Sequence, residues 1–309
     1  MPLVSSEAMF RVSAKLAVKT IHGRIVLTMR QRRCTVYFQK NKRMIEYEPM
    51  HLTIWALAFL WFFVFLAGFI DSAAGGGGLI SLPAYLFVGL PPHTAIGCNK
   101  FSAACGTTLS AARFFKNGAV DWQISAISAV CSFIFSYLGT RLALMINQET
   151  LKTALVVVLP IVAVLLLLKR DFGTENQSAD IPKKKAFILA TCAGSVIGFY
   201  DGLIGPGTGT IAIIVFSAWM QYDLKTSSGN AKILNLASNY ASLIAVIVGN
   251  KVIYSIAIPA AVFGIIGNYI GAGFAIKKGT AFIKPLMICV IVLLFGKLFY
   301  DVFGTLFFS

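Results

Sequence analysis

The amino-acid sequence predicts an all-α polytopic membrane protein made of two repeated halves, each holding a glycine-interrupted broken or re-entrant segment. Three observations carry that prediction. First, the 309 residues are 57% hydrophobic and only 13% charged, with a mean hydropathy of +0.78. Soluble domains carry about 25% charged residues, so the charges here are too few to coat a globule of this size. Second, residues 52–303 contain repeated apolar runs, several as long as the roughly 20 residues that a bilayer crossing needs. Third, the pattern of those runs occurs twice, with matching residues in the same order. A large soluble α/β core would show strands and turns in place of such blocks.

Residues 1–50 form a basic tail with ten of the 27 Lys and Arg residues against three acids. The net charge of +15 suggests nucleic acid at first sight. However, the charge sits in this tail and in short loops, as expected beside an anionic cytoplasmic leaflet. No groove-reading motif accompanies it, so no nucleic-acid partner is expected. The run Arg30, Arg32, Arg33, Lys40, Lys42, Arg43 reads as a cytoplasmic tail or a short interfacial helix. The first strongly apolar segment begins near Leu52, too late for a cleavable leader.

The first repeat, residues 51–168, contains apolar segments at 52–70, 79–90, 95–112, 120–142 and 151–168. A polar linker at 169–185 joins it to the second repeat, residues 186–309, with segments at 186–204, 211–221, 230–249, 252–276 and 282–303. Segments 79–90 and 211–221 are too short for an ordinary crossing. Each follows a glycine cluster: Gly75, Gly76, Gly77 and Gly78 in one half, and Gly205, Pro206, Gly207, Thr208 and Gly209 in the other.

Gly68-Phe69-Ile70-Asp71 reappears as Gly198-Phe199-Tyr200-Asp201, and Thr94, Gly97 and Lys100 reappear as Thr226, Gly229 and Lys232. This ordered set argues for an internal duplication. Duplicated halves with interrupted spans point to a transporter's central site. Placing the basic tail and the linker both inside favours eight crossings, with the short segments as re-entrant hairpins or parts of broken helices. Arg113, Lys116 and Lys251 then lie inside as well, while Lys277, Lys278 and Lys284 fall outside, against the charge rule. Ten crossings, with inverted halves of five, is the alternative.

Asp71 and Asp201 stand beside the glycine clusters. An ionisable residue at membrane depth is costly and usually functional, so either carboxylate is a candidate for proton coupling. The structural alternative is that each accepts backbone N–H bonds at the broken helix, as a cap does. The clusters lack the Gly-Lys-Ser/Thr ending and strand–turn–helix context of a nucleotide loop. Their glycines let the chain turn sharply, and a helix starting there offers N–H groups and a positive dipole end to an anion. Two such starts facing each other would cradle a small oxyanion; tight packing through small residues is the other reading.

Lys100 and Lys232 sit at matched positions, with Asn99, Asn235 and Asn239 nearby; Asn235 and Asn239 share a helical face with Lys232. Lysine can balance an anion's charge while amides orient its oxygens. Snorkelling to the interface is the alternative, chiefly for Lys100. Arg113 and Lys116 read as loop anchors, and Trp55 and Trp122 as interface anchors. Three separated histidines and six scattered cysteines without a CxxC give no disulfide frame. They give no metal site either. Neither a cofactor nor enzymatic activity is expected.

Three stretches carry a family resemblance. They are Gly68–Asp71 with Gly75–Gly78 and Pro83; Thr94–Lys100 leading to Arg113 and Gly118; and Gly198–Gly209 followed by Ala231–Asn235 and Ser238-Asn239. In these the chain resembles the sulfite exporter TauE/SafE family of membrane permeases over roughly residues 52–303. The resemblance implies a secondary transporter of a small sulfur-containing anion, such as sulfite or an organosulfonate, in a bacterial-type cytoplasmic membrane. It implies eight spans in two similar halves and no ATPase partner. An anion channel and a non-transporting sensor or scaffold are the alternatives. The expected partners are the small anion and membrane lipids, with a homo-oligomer allowed. Asn235 and Asn239 align with Ala103 and Thr107, so the halves are not expected to contribute equally to binding.

Overall fold

In the computed structural model, residues 33–41, 44–147, 150 and 175–286 are described. Expected segment 151–168 and the greater part of 282–303 lie outside them. The described chain is helical apart from one antiparallel hairpin, β1 (Arg33–Asn41) and β2 (Met44–Thr53), whose register pairs Arg33 with Thr53 and Asn41 with Met44. Strands at residues 33–41 and 44–53 thus stand where a short interfacial helix was one of the two readings. The β-branched and aromatic run Thr35-Val36-Tyr37-Phe38 is the local signal for strand.

Strand β2 runs directly into helix α1 (Ile54–Ala74), where the Thr53 side chain caps the Ala56 N–H at 3.2 Å. Next come α2 (Gly78–Phe87), α3 (Pro92–Lys116) and α4 (Trp122–Met145). Asp121 caps α4 through the Ile124 N–H, and Pro92 opens α3 with the fixed φ that suits a first helical turn. In the second half, α5 (Lys183–Leu203), α6 (Thr208–Ala218), α7 (Leu224–Val248) and α8 (Tyr254–Lys278) repeat the same order of lengths. Asp223 caps α7 by accepting from the N–H groups of Lys225 and Thr226. A further helix begins at residue 280.

Among the described residues, α1, α4, α5, α7 and α8 are long and apolar enough to cross a membrane. Their outer faces carry large exposed apolar side chains, including Phe62, Val130, Ile188 and Val262. At about 1.5 Å per residue, α2 and α6 are about 15 Å long, half of the ~30 Å hydrocarbon core. Both short helices are wrapped in apolar side chains: Leu82 and Tyr85 lie in one buried cluster, Ile213 and Phe216 in another.

Helices α3 and α7, which carry the buried lysines and most of the buried asparagines, are inner elements. Helix α3 packs on α8, α7 and α2, and α7 packs on α4, α3, α6 and α5. Helix α1 lies along α8, and α5 along α4. Glycines set the closeness of these pairs. A Cβ on Gly68 would come within 2.6 Å of the Gly264 carbonyl oxygen, and one on Gly198 within 2.7 Å of that of Ser132.

Candidate functional site

Both glycine clusters break the chain at the end of a long helix. Helix α1 ends at Gly75 with φ of 78°, and α6 starts after Gly207 with φ of 85°. Both values lie in the left-handed region that favours glycine. The two breaks meet: a Cβ on Gly209 would sit 2.5 Å from Gly75 Cα, and one on Gly78 would touch Pro206. The Thr210 hydroxyl, in the first turn of α6, donates to the Ala74 carbonyl at 2.7 Å and ties the two breaks together.

Beside this junction is a cavity of about 60 Å³. A single water needs roughly 10–15 Å³ of such space, so the cavity has room for about four to six water-sized groups. Asp71, Gly75, Gly77 and Gly78 line it from α1 and the first break, and Asp201, Gly205, Thr208 and Gly209 from α5 and the second. Asn99 and Lys100 reach it from α3, and Asn235 and Asn239 from α7. Of the residues expected in the site, Gly76, Gly207 and Lys232 do not line the cavity; Gly207 shapes the break and Lys232 acts through a partner.

Both lysines lie in crossed ion pairs. Lys232 on α7, fully buried, donates from Nζ to Asp71 Oδ2 on α1 at 2.6 Å. Lys100 on α3 donates to Asp201 Oδ2 on α5 at 2.6 Å, to the Asp201 carbonyl at 2.9 Å and to Asn239 Oδ1 at 3.4 Å. These side chains are buried and paired, not snorkelled. Each lysine is paired with a carboxylate, so the four groups together sum to zero charge. The capping role expected for the aspartates is seen at Asp71, whose Oδ1 accepts from the Gly77 N–H at 3.3 Å. At Asp201 the second donor is instead the Ser238 hydroxyl, at 2.6 Å.

The remaining polar groups fill in the walls. Ser81 donates to Asn99 Oδ1 at 2.7 Å, and Asn239 donates to Thr107 Oγ1 at 3.4 Å. Asn239 thus meets the residue with which it aligns in the other half. Arg113 lies in the last turn of α3, just before the Asn117-Gly118 turn. It donates to the Tyr269 carbonyl at 2.6 Å, with its guanidinium 4.2 Å from the centre of the Tyr269 ring. Trp55 and Trp122 are exposed at the starts of α1 and α4.

Sequence reasoning missed Ser81, Ser102 and Asn268, all of which line the cavity. The signal for Asn268 was present: it is a lone amide in an apolar span, flanked by Gly264, Gly267 and Gly271.

The sequence profile of the sulfite exporter TauE/SafE family matches residues 60–298. A "Probable membrane transporter protein YfcA" of Escherichia coli K12 is 31% identical over 249 residues, covering 80% of this chain and 91% of the relative. A "Probable membrane transporter protein" of Haemophilus influenzae is 30% identical over 252 residues, covering 82% and 98% respectively. A third relative, from Sinorhizobium, is 31% identical over 245 residues, covering 79% and 93%. No solved structure matches the chain. With its several membrane-length apolar helices, the chain belongs to the sulfite exporter TauE/SafE family of membrane transporters.

Proposed function

We propose that this protein is a secondary transporter, working as an exporter in the cell membrane, of a small sulfur-containing oxyanion such as sulfite or an organosulfonate. The observation that carries the reading is the small cavity at the meeting of two broken helices, edged by two buried Lys–Asp pairs. Helix starts attract anions through their N–H groups and dipoles, and the cavity's size suits an ion of this class.

The two halves are read as duplicates that exchange contacts. Asp71 pairs with Lys232 and Asp201 with Lys100. Gly97 presses on the carbonyl of Lys251, and Gly229 presses on that of Ala119, which holds the matching place in the other half. Such exchange is what a pseudo-two-fold relation between repeats produces. Eight crossings, with α2 and α6 as half-length excursions, keep the basic tail and the linker on one face.

Charge balance then suggests the coupling. A monovalent anion entering a site of zero net charge leaves one buried negative charge, which is expensive. Protonating Asp71 or Asp201 would release a lysine's charge to the anion, and losing the proton would return the lysine to its carboxylate. A proton carried with a monovalent anion makes the cycle electroneutral. Without it, an interior-negative potential drives the anion outward by about 2.3 kcal/mol per 100 mV.

The test is counterflow in proteoliposomes, with and without a pH gradient, using sulfite, thiosulfate, sulfoacetate, sulfate and carboxylates. Movement of a sulfur oxyanion that responds to the gradient, and loses that response in Asp71→Asn or Asp201→Asn, is expected. If folded protein moves none of these ions, the oxyanion assignment fails. Conduction indifferent to the gradient would instead indicate a pore.

A further inference from the structure

Two residues that line the cavity carry a buried amide oxygen with no hydrogen-bond partner. Among the described residues, five buried side-chain polar atoms lack one, and two of them, Asn235 Oδ1 and Asn268 Oδ1, belong to residues that line this cavity. Asn268 is 3% exposed and Asn235 6%. A buried acceptor left without a donor is costly. Native structures satisfy nearly all such groups.

The orientation of Asn268 is set by its surroundings. Its Nδ2 donates to the Gly264 carbonyl at 3.0 Å, one turn back on α8. Turning the amide over would bring two oxygens face to face, so Oδ1 is the end left over. The neighbouring helices are cut away around this side chain. A Cβ on Gly68 of α1 would approach Asn268 Nδ2 to 2.7 Å, and Gly106 of α3 is pressed against the same amide. Asn235 lies on the other side of the junction, with its Nδ2 against Gly209.

An oxyanion that carries only acceptors would face these two oxygens with lone pairs of its own. We infer that Asn268, together with Asn235, reads a hydrogen-bond donor on the ligand, so that the site selects oxyanions carrying their own O–H or N–H over donor-free ones of equal size and charge. This rests on the reading that the cavity binds an anion, and it narrows the class of anion. Sites built to bond a ligand's O–H discriminate strongly against the analogue lacking it, because the protein's own polar group is then left unpaired.

The cleanest probe is a pair of ions that differ by one proton donor. At mildly alkaline pH, hydrogenphosphate and sulfate carry the same charge and the same number of heavy atoms, and only the former has an O–H. A second pair, sulfamate and methanesulfonate, exchanges an N–H donor group for a methyl group at equal charge and size. Binding is measured by titration calorimetry on the purified full chain, with competition in sulfite counterflow alongside. The donor-bearing member of each pair is expected to bind about 10- to 100-fold more tightly, the cost of one unpaired buried acceptor. In Asn268→Leu, which keeps the side chain's shape, and in Asn268→Ala, the ratio is expected to collapse toward one while the thermal unfolding transition persists. Equal binding of both members by the wild type overturns the inference, and so does a ratio unchanged in both variants. If either result comes with sulfite counterflow intact, the transport reading survives and only the donor selectivity falls. Should no ion bind and none be transported, both fall together.

Discussion

Asp71→Asn should destabilise the protein more than Asp201→Asn, although the two carboxylates hold matched positions and each lies 2.6 Å from a lysine. The difference lies in what each ammonium keeps. Lys232 has no exposed surface, and its acceptor among the described residues is Asp71 Oδ2. Removing that charge strands a buried cation, which costs about 3–5 kcal/mol. Lys100 keeps the Asp201 backbone carbonyl and Asn239 Oδ1 after Asp201→Asn, so its loss is nearer the ~1–3 kcal/mol of a weakened buried hydrogen bond. The gap of about 2 kcal/mol corresponds to a melting difference of roughly 3 °C for a chain of this length. The double variant Asp71→Asn/Lys232→Met removes both charges and should recover most of the loss, since replacing a buried pair by neutral groups is often tolerated. Fluorescence-detected thermal unfolding in detergent reads all three variants. Equal melting of the two single variants, or a double variant no better than Asp71→Asn, would refute the reasoning.

Two further predictions concern other parts of the fold. Gly209→Ala places a methyl group 2.5 Å from Gly75 Cα and 2.7 Å from Gly75 O; backbone cannot yield as a side chain can, so a loss of about 1–3 kcal/mol and of transport is expected, read by melting and counterflow. Outside the spans, Tyr222 is buried and donates to Asp121 Oδ2 at 2.6 Å. Burial first, and then its bond to the Asp121 carboxylate, raises the phenol well above the ordinary tyrosine value of 10.0. The folded chain therefore holds this proton more tightly than the unfolded one, and stability falls as pH rises past that ordinary value. Tyr222→Phe should flatten this alkaline loss relative to wild type; an unchanged alkaline melting profile would count against it.

Apolar blocks, short segments and glycine breaks were legible because each follows from local composition and length. The aspartates and lysines were legible as candidates because charge at membrane depth is rare enough to stand out. Their pairing was not, since Asp71 and Lys232 are 161 positions apart and nothing local says which lysine faces which carboxylate. The lysines therefore stood out as groups able to balance an anion's charge, while their carboxylate partners emerge only from the fold. The hairpin at residues 33–53 was obscured by the attention drawn to its basic residues. Asn268 was passed over because a lone amide in an apolar helix has packing as its ordinary role; only a neighbouring cavity distinguishes it. Arg113 and Lys116 lie in the final turn of their helix, directly before the Asn117-Gly118 turn that follows it.

The crossing of the two ion pairs bears on how a transporter of this design avoids leaking. Each pair joins a helix of one half to a helix of the other, so on the proposed reading any large movement between the halves strains both pairs together. In an empty site that movement would expose buried charges without partners, at about 3–5 kcal/mol for each pair broken. On the same reading a bound anion would change this balance, because it would offer Lys100, which lines the cavity, a second acceptor while a proton neutralised the carboxylate left behind. Movement would then be cheap only with anion and proton both present, and on this reading the unloaded protein would stay closed to either alone. A single ion pair within one half would hold that half together without sensing its position relative to the other. Two pairs exchanged between the halves place the cost of opening at the interface that must open, beside the cavity whose contents lower it.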